Sequence, residues 1–130
     1  MKRVKLYAVV PCLNEEKNIG EVLDGLNHLD VTAIVVDDGS TDKTANIARE
    51  KGAIVIRHRE NRGPGSAIRT GYIYTKNSCG DDSIVLILDG DGQHDPSEIP
   101  NFVHETLANK ADYVVGERFQ VNLADLVCLQ

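Results

Sequence analysis

Five short segments rich in valine, isoleucine and leucine return along the chain at similar intervals, and the stretches between them carry helical periodicity. The apolar segments cover residues 4–10, 32–36, 53–57, 83–88 and 112–115. After the first, Asn14 is placed to cap a helix, Glu15 and Glu16 suit its positive end, and Ile19, Val22, Leu23 and Leu26 share one face. After the second, Ser40 or Thr41 can cap a helix bearing Thr44, Ile47 and Ala48, and Gly52 stands where a left-handed stop is wanted. Pro64 can open a third helix through Ala67, Ile68, Gly71 and Tyr72. Asp95, Pro96 and Glu98 form a capping-box arrangement ahead of a fourth, with Ile99, Phe102, Val103 and Leu107. Strand and helix thus alternate, and near-continuous apolar strands are those buried on both faces of a mostly parallel sheet. With right-handed crossovers the expected architecture is α/β and doubly wound, in the strand order 3-2-1-4-5.

A chain of 130 residues suits one domain, residues 1–130, with no linker or low-complexity stretch inside it. A run such as 84–88 has five apolar residues, against roughly 18 or more for a bilayer crossing. Lys2 and Arg3 ahead of Leu6 faintly resemble a secretory signal, but Pro11 and the polar Asn14-Glu15-Glu16 favour a first strand. Cys12, Cys79 and Cys128 show no Cys-x-x-Cys spacing, which indicates neither a disulfide framework nor a zinc site and fits a reducing, cytoplasmic setting. The formal charge of −6 disfavours nucleic acid as a partner, because that affinity rests on neutralising phosphates.

In a doubly wound sheet the ligand sits beyond the carboxyl ends of the strands, where the strand order reverses. That crevice is expected between strands one and four. Glu15 follows strand one, Asp37 and Asp38 end strand two, and Asp89 and Asp91 end strand four, so carboxylates from separate stretches converge on it.

Each motif by itself admits a plainer reading. Asp89-Gly90-Asp91 places two carboxylates where a strand opens into a loop, with Gln93 as a further oxygen, and hard cations such as magnesium and manganese take that donor set. Asp and Gly are also ordinary turn residues. An EF-hand does not fit, since His94 and Pro100 stand where glycine and glutamate are needed. Asp38 can accept hydrogen bonds from a base or ribose, or, with Ser40, merely shape a turn. Asn61-Arg62-Gly63-Pro64-Gly65, with Arg69 beyond, offers amides and guanidinium groups to anions, although either arginine alone reads as a surface charge. Ile68 breaks a dinucleotide fingerprint. His28, His58 and His104 read as solvated side chains, and His94 as a turn residue. Covalent acyl chemistry has no support: there is no Gly-x-Ser-x-Gly elbow and no cysteine with an evident base.

Taken together, Pro11-Cys12-Leu13-Asn14-Glu15, Val36-Asp37-Asp38-Gly39-Ser40-Thr41-Asp42, Asn61-Arg62-Gly63-Pro64-Gly65, Asp89-Gly90-Asp91-Gly92-Gln93-His94 and Gly116-Glu117-Arg118 resemble the family 2 glycosyltransferases, most of all the dolichyl-phosphate mannosyltransferase branch. The resemblance covers residues 4 to about 119. It implies the GT-A nucleotide-sugar-binding fold and a catalytic set of Asp89, Asp91 and Arg118. It implies a nucleotide-sugar site drawn from those residues with Pro11, Leu13, Asn14, Glu15, Val36, Asp38, Arg69 and Gly90. The cofactor implied is Mg2+ or Mn2+, held by Asp91 and Gln93 with Asp89 close by, as in the family's Asp-x-Asp motif. The partners implied are a GDP- or UDP-sugar and a polyprenyl phosphate acceptor, which would place the protein in the cytoplasm or at the cytoplasmic membrane face. Transfer with inversion is the expected outcome.

Leu13 stands where the family commonly has an aromatic residue, Pro64 replaces a usual lysine, and Glu117 replaces a small residue before Arg118. The resemblance also implies an acceptor half beyond residue 130, and an exposed strand five leaves a homodimer open. Three other readings compete: a sugar-nucleotide-binding module without transfer activity, a haloacid-dehalogenase-type phosphatase on Asp89-Gly90-Asp91-Gly92, and a receiver domain. The phosphatase motif normally opens its fold, and the receiver wants its acidic pair after strand one.

Overall fold

The computed structural model describes residues 5–79, 83–91, 98–101, 103 and 104. Their order is β1 (Lys5–Cys12), α1 (Ile19–His28), β2 (Thr32–Asp37), α2 (Thr44–Glu50), β3 (Ile54–Arg57), α3 (Pro64–Ser78) and β4 (Ser83–Ile87). The strands form one sheet in the order β3-β2-β1-β4, and every pairing is parallel. The expected order therefore holds for these four strands, while the fifth expected strand and the Asp95–Glu98 capping box lie outside the described residues, Glu98 excepted.

Side-chain alternation explains why the sheet is covered on both sides. Ala8, Val10 and Cys12 of β1, Ala33 and Val35 of β2, and Ile84 and Leu86 of β4 pack with Ile19, Val22, Leu23 and Leu26 of α1 and with Ala48 of α2. The intervening residues Val9, Val36, Val85 and Ile87 meet Ala67 of α3 on the opposite face. Two apolar layers on one sheet make the doubly wound arrangement. Residues 99–101, 103 and 104 are helical, and Ile99 and Val103 return to the larger layer. The α3 backbone lies close against β1, since a Cβ at Gly71 would run into the Val9 side chain.

Pro11 does not end the first strand as its ring would suggest; β1 runs through it to Cys12, with Pro11 opposite Val36. The physical reason is that the β1–β4 ladder has already ended where Pro11 stands. Leu88 donates its amide to the Val9 carbonyl at 3.0 Å and Asp38 donates to the Cys12 carbonyl at 2.9 Å, so Val9 and Pro11 turn their polar backbone groups toward β4 while Cys12 turns toward β2. The β1–β4 ladder stops at the Val9–Ile87 pair, and the amide missing from Pro11 costs no ladder bond.

The helix starts differ from the sequence reading. Asn14 is not a helix cap: α1 begins at Ile19, and Asn14 sits four residues upstream of its N-cap Asn18 with a left-handed φ of 52°. Nor do Ser40 and Thr41 cap α2. The N-cap position falls to Lys43, and Asp42 just before it accepts from the Thr44 amide at 2.9 Å and also from the Thr44 hydroxyl. Gly52, with φ of 83°, is the left-handed stop expected of it.

Candidate active site

The ends of β1, β2 and β4 and the loop into α3 surround a cleft of about 210 Å3. Its walls are Pro11, Cys12, Leu13, Glu15, Asp38, Asn61, Pro64, Ala67, Asp89, Gly90 and Asp91. It lies at the switch point, where β2 and β4 flank β1 on opposite sides. Four carboxylates face it, and no lysine or arginine belongs to its described lining.

Each wall is positioned by a different device. On the β1 side, the Asn14 amide donates to Ser40 Oγ at 2.8 Å, Asn14 Oδ1 accepts from the Thr41 amide at 2.9 Å, and the Glu15 amide donates to Thr44 Oγ1 at 2.9 Å. These bonds staple the loop after β1 onto the loop after β2, presenting Leu13, 40% exposed, and Glu15 to the cleft. On the β4 side, Gly90 packs over Cys12: a Cβ there would overlap Sγ. Absence of a side chain at Gly90 lets the turn close over β1 while the flanking Asp89 and Asp91 line the opening.

The β2 side carries the densest polar network. Asp38 accepts from the Arg62 amide at 2.9 Å and the Gly63 amide at 2.8 Å, and its Oδ1 lies 2.8 Å from His58 Nδ1. His58 Nε2 in turn lies 2.8 Å from Thr70 Oγ1 on α3. Burial pushes Asp38 up, but the hydrogen bonds from His58 and the two amides outweigh it and hold the carboxyl below the usual aspartate range. Asp38 is therefore an anion at neutral pH. Its neighbour Asp37 points to the other face, fully buried, with Oδ1 accepting from the Ser40 amide at 2.9 Å and Oδ2 3.7 Å from Arg57 Nε.

Cys12 forms part of the floor. Burial raises its thiol well above the ordinary value, and the carboxylates of Glu15, Asp37, Asp89 and Asp91 raise it further. The group stays a neutral thiol.

The structure thus brings together Pro11, Leu13, Glu15, Asp38, Asp89, Gly90 and Asp91 of the expected nucleotide-sugar residues. Three expected residues fall elsewhere. Val36 is buried in the α3-facing apolar layer beneath the cleft, Asn14 is spent on the loop staple, and Arg69 is exposed on α3 away from the lining. Gln93, His94 and Arg118 lie outside the described residues. His58 corrects the sequence reading outright. It is 7% exposed and bonded through both ring nitrogens, because the turn after β3 folds back over the end of β2, where the His58 amide also donates to the Asp37 carbonyl at 2.8 Å. Its position directly after β3, at the same sheet end as Asp38, was the available signal. Among the described residues, no three His, Cys, Asp or Glu side chains cluster as a ready-made metal cage.

Comparison with known proteins decides the family. Residues 7–127 match the sequence profile of Glycosyl transferase family 2. The chain belongs to glycosyltransferase family 2. It is 34% identical over 133 residues to the UDP-N-acetylglucosamine–dolichyl-phosphate N-acetylglucosaminyltransferase of Methanococcus voltae, covering 88% of this chain and 52% of that one. It is 32% identical over 124 residues to the dolichol-phosphate mannosyltransferase of Pyrococcus furiosus, covering 89% and 34%. Among solved structures, glucosyl-3-phosphoglycerate synthase from Mycobacterium tuberculosis in complex with UDP superposes with a TM-score of 0.67 at 30% identity, covering 85% of this chain and 42% of that one. The same synthase has been solved with Mn2+ and UDP-glucose and with Mg2+ and UDP. This glycosyltransferase chain spans about half the length of the first curated relatives it matches. No helix among its described residues is long and apolar enough to cross a membrane.

Proposed function

We propose that this chain carries the donor site of a metal-dependent glycosyltransferase, which binds a GDP- or UDP-sugar and transfers the sugar to an acceptor such as a polyprenyl phosphate. One observation carries the reading: Glu15, Asp38, Asp89 and Asp91 meet in a cleft whose described lining holds no cationic side chain. An anionic diphosphate enters such a cleft only with a cation. Asp89 and Asp91 suit magnesium or manganese, which are bound through one or two carboxylates with substrate phosphates completing the shell, so a preformed cage of three protein ligands is not required. A bound divalent ion supplies Lewis-acid stabilisation of the charge that gathers on a departing diphosphate.

The chain's own residues divide the rest of the work. Leu13, Pro11 and Ala67 offer apolar surface to a base, Asp38 accepts a hydrogen bond from a base N–H or a ribose hydroxyl, and Gly90 admits the ribose and diphosphate close to the backbone. A polyprenyl phosphate acceptor is already anionic and nucleophilic, so the transfer asks no general base of the protein and proceeds with inversion by direct attack. The relatives named for dolichyl phosphate support that acceptor, and a lipid acceptor would hold the protein peripherally at a membrane surface.

Thermal-shift titration with UDP, GDP and their sugars, with and without Mn2+, tests the proposal. A melting-temperature rise that needs both nucleotide and metal is expected. Equal shifts without metal, or none with any nucleotide, would overturn it; metal-dependent binding with no product from polyprenyl phosphate would leave a binding module.

A further inference from the structure

The orientation of Asp38 is imposed from behind. His58 is not in the cleft lining, yet its ring stands between Asp38 and α3, 2.8 Å from Asp38 Oδ1 on one side and 2.8 Å from Thr70 Oγ1 on the other. The carboxylate can only accept, so Nδ1 must carry the proton and donate it. Nε2 lies 2.8 Å from the Thr70 hydroxyl, so the ring is held at both nitrogens and its plane is fixed. The Arg62 amide takes the second lone pair of Oδ1 and the Gly63 amide takes one of Oδ2, which leaves one lone pair on Oδ2. What is left of the acceptor capacity of Asp38 is therefore confined in direction.

We propose that His58 is a positioning residue for nucleoside recognition: its Nδ1–H, oriented by Thr70, locks the Asp38 carboxylate in the rotamer that offers its remaining Oδ2 lone pair to the nucleoside. The inference rests on the donor-site reading above, in which Asp38 faces the nucleoside. His58 itself touches no ligand. Preorganisation of this kind lowers the ordering cost of binding, and its loss appears in nucleotide affinity.

The test compares variants that differ in which ring nitrogen they replace. His58→Asn places an amide donor near the Nδ1 position, His58→Gln places one nearer Nε2, and His58→Leu supplies neither. Isothermal titration of Mn2+ with UDP and with GDP is expected to show Kd raised about tenfold in His58→Leu and His58→Gln, with His58→Asn within about threefold of the parent although its melting temperature also falls. Equal affinities for His58→Asn and His58→Gln overturn the inference, and that pair decides the matter even if His58→Leu does not fold. Asp38→Asn separates the two levels. If it weakens binding while the His58 variants do not, the positioning role falls and the donor-site reading stands; if the parent chain binds neither nucleotide, both fall.

Discussion

The turns after β2 and β4 both end an apolar strand in aspartates, and they use them differently. In the β2 turn, Asp37, Asp38 and Asp42 each accept at least one backbone amide, from Ser40, from Arg62 and Gly63, and from Thr44 respectively. In the β4 turn, Asp89 is exposed, Asp91 is half-buried, and both border the cleft. Similar residue types at the same end of one sheet thus differ in placement: Asp37 and Asp42 lie outside the cleft lining, while Asp38, Asp89 and Asp91 border it. The controlling variable is what lies beside the strand. β2 is an interior strand with a loop folded over its end, whereas β4 pairs with β1 alone among the described strands.

The largest effect is expected where the scaffold carboxylate is removed. Asp38→Ala leaves two amides and His58 Nδ1 without their acceptor, and urea denaturation should show a loss of about 3 kcal/mol. A loss below about 1 kcal/mol would erase the contrast between the turns. Asp91→Ala should act on the ligand: calorimetry is expected to show Mn2+-dependent nucleotide binding weakened about a hundredfold, about 2.7 kcal/mol. Unchanged affinity would remove the β4 turn from the site.

Gly90→Ala probes the seam between the regions. Its Cβ would press on Cys12 Sγ, and overpacking of that sort costs about 1–3 kcal/mol; the companion Cys12→Ala, which makes room, should recover most of it in a double-mutant cycle.

The smallest expected effect sharpens the electrostatic side. Burial raises the Asp42 carboxyl, but the Thr44 hydroxyl and the Thr44 and Glu16 amides outweigh burial and lower it. A carboxyl depressed in the folded state stabilises the fold above its unfolded value, about 3.9 for aspartate, and loses that contribution as the pH falls from there through the folded value. Asp42→Asn should therefore cost about 0.5 kcal/mol at pH 7, and the gap from the parent should narrow as the pH falls below the ordinary aspartate value and through the lowered one. A gap independent of pH would assign the effect to packing instead.

Much of this was legible in residue order. Valine- and isoleucine-rich runs alternating with the Ile19, Val22, Leu23 and Leu26 stripe require a parallel sheet with helices on both sides, and the acidic residues at strand ends mark one sheet edge as the ligand side. The less legible features depend on contacts between residues distant in sequence. Asn14 and Ser40, 26 residues apart, are exchanged from expected helix caps to loop staples because each finds its partner in the other's loop. His58 changes from a solvated side chain to a buried link between residues 20 positions before it and 12 after it.

The chain of amino acids determined which segments pair, which faces are apolar and where negative charge accumulates, because those follow from periodicity of 2 and 3.6 and from residue type. Only tertiary structure decided which carboxylates face the cleft and which hold loops together. That choice depends on how the turn after β4 packs on the end of β1 and on which backbone amides arrive beside each carboxylate, and both are settled by three-dimensional packing.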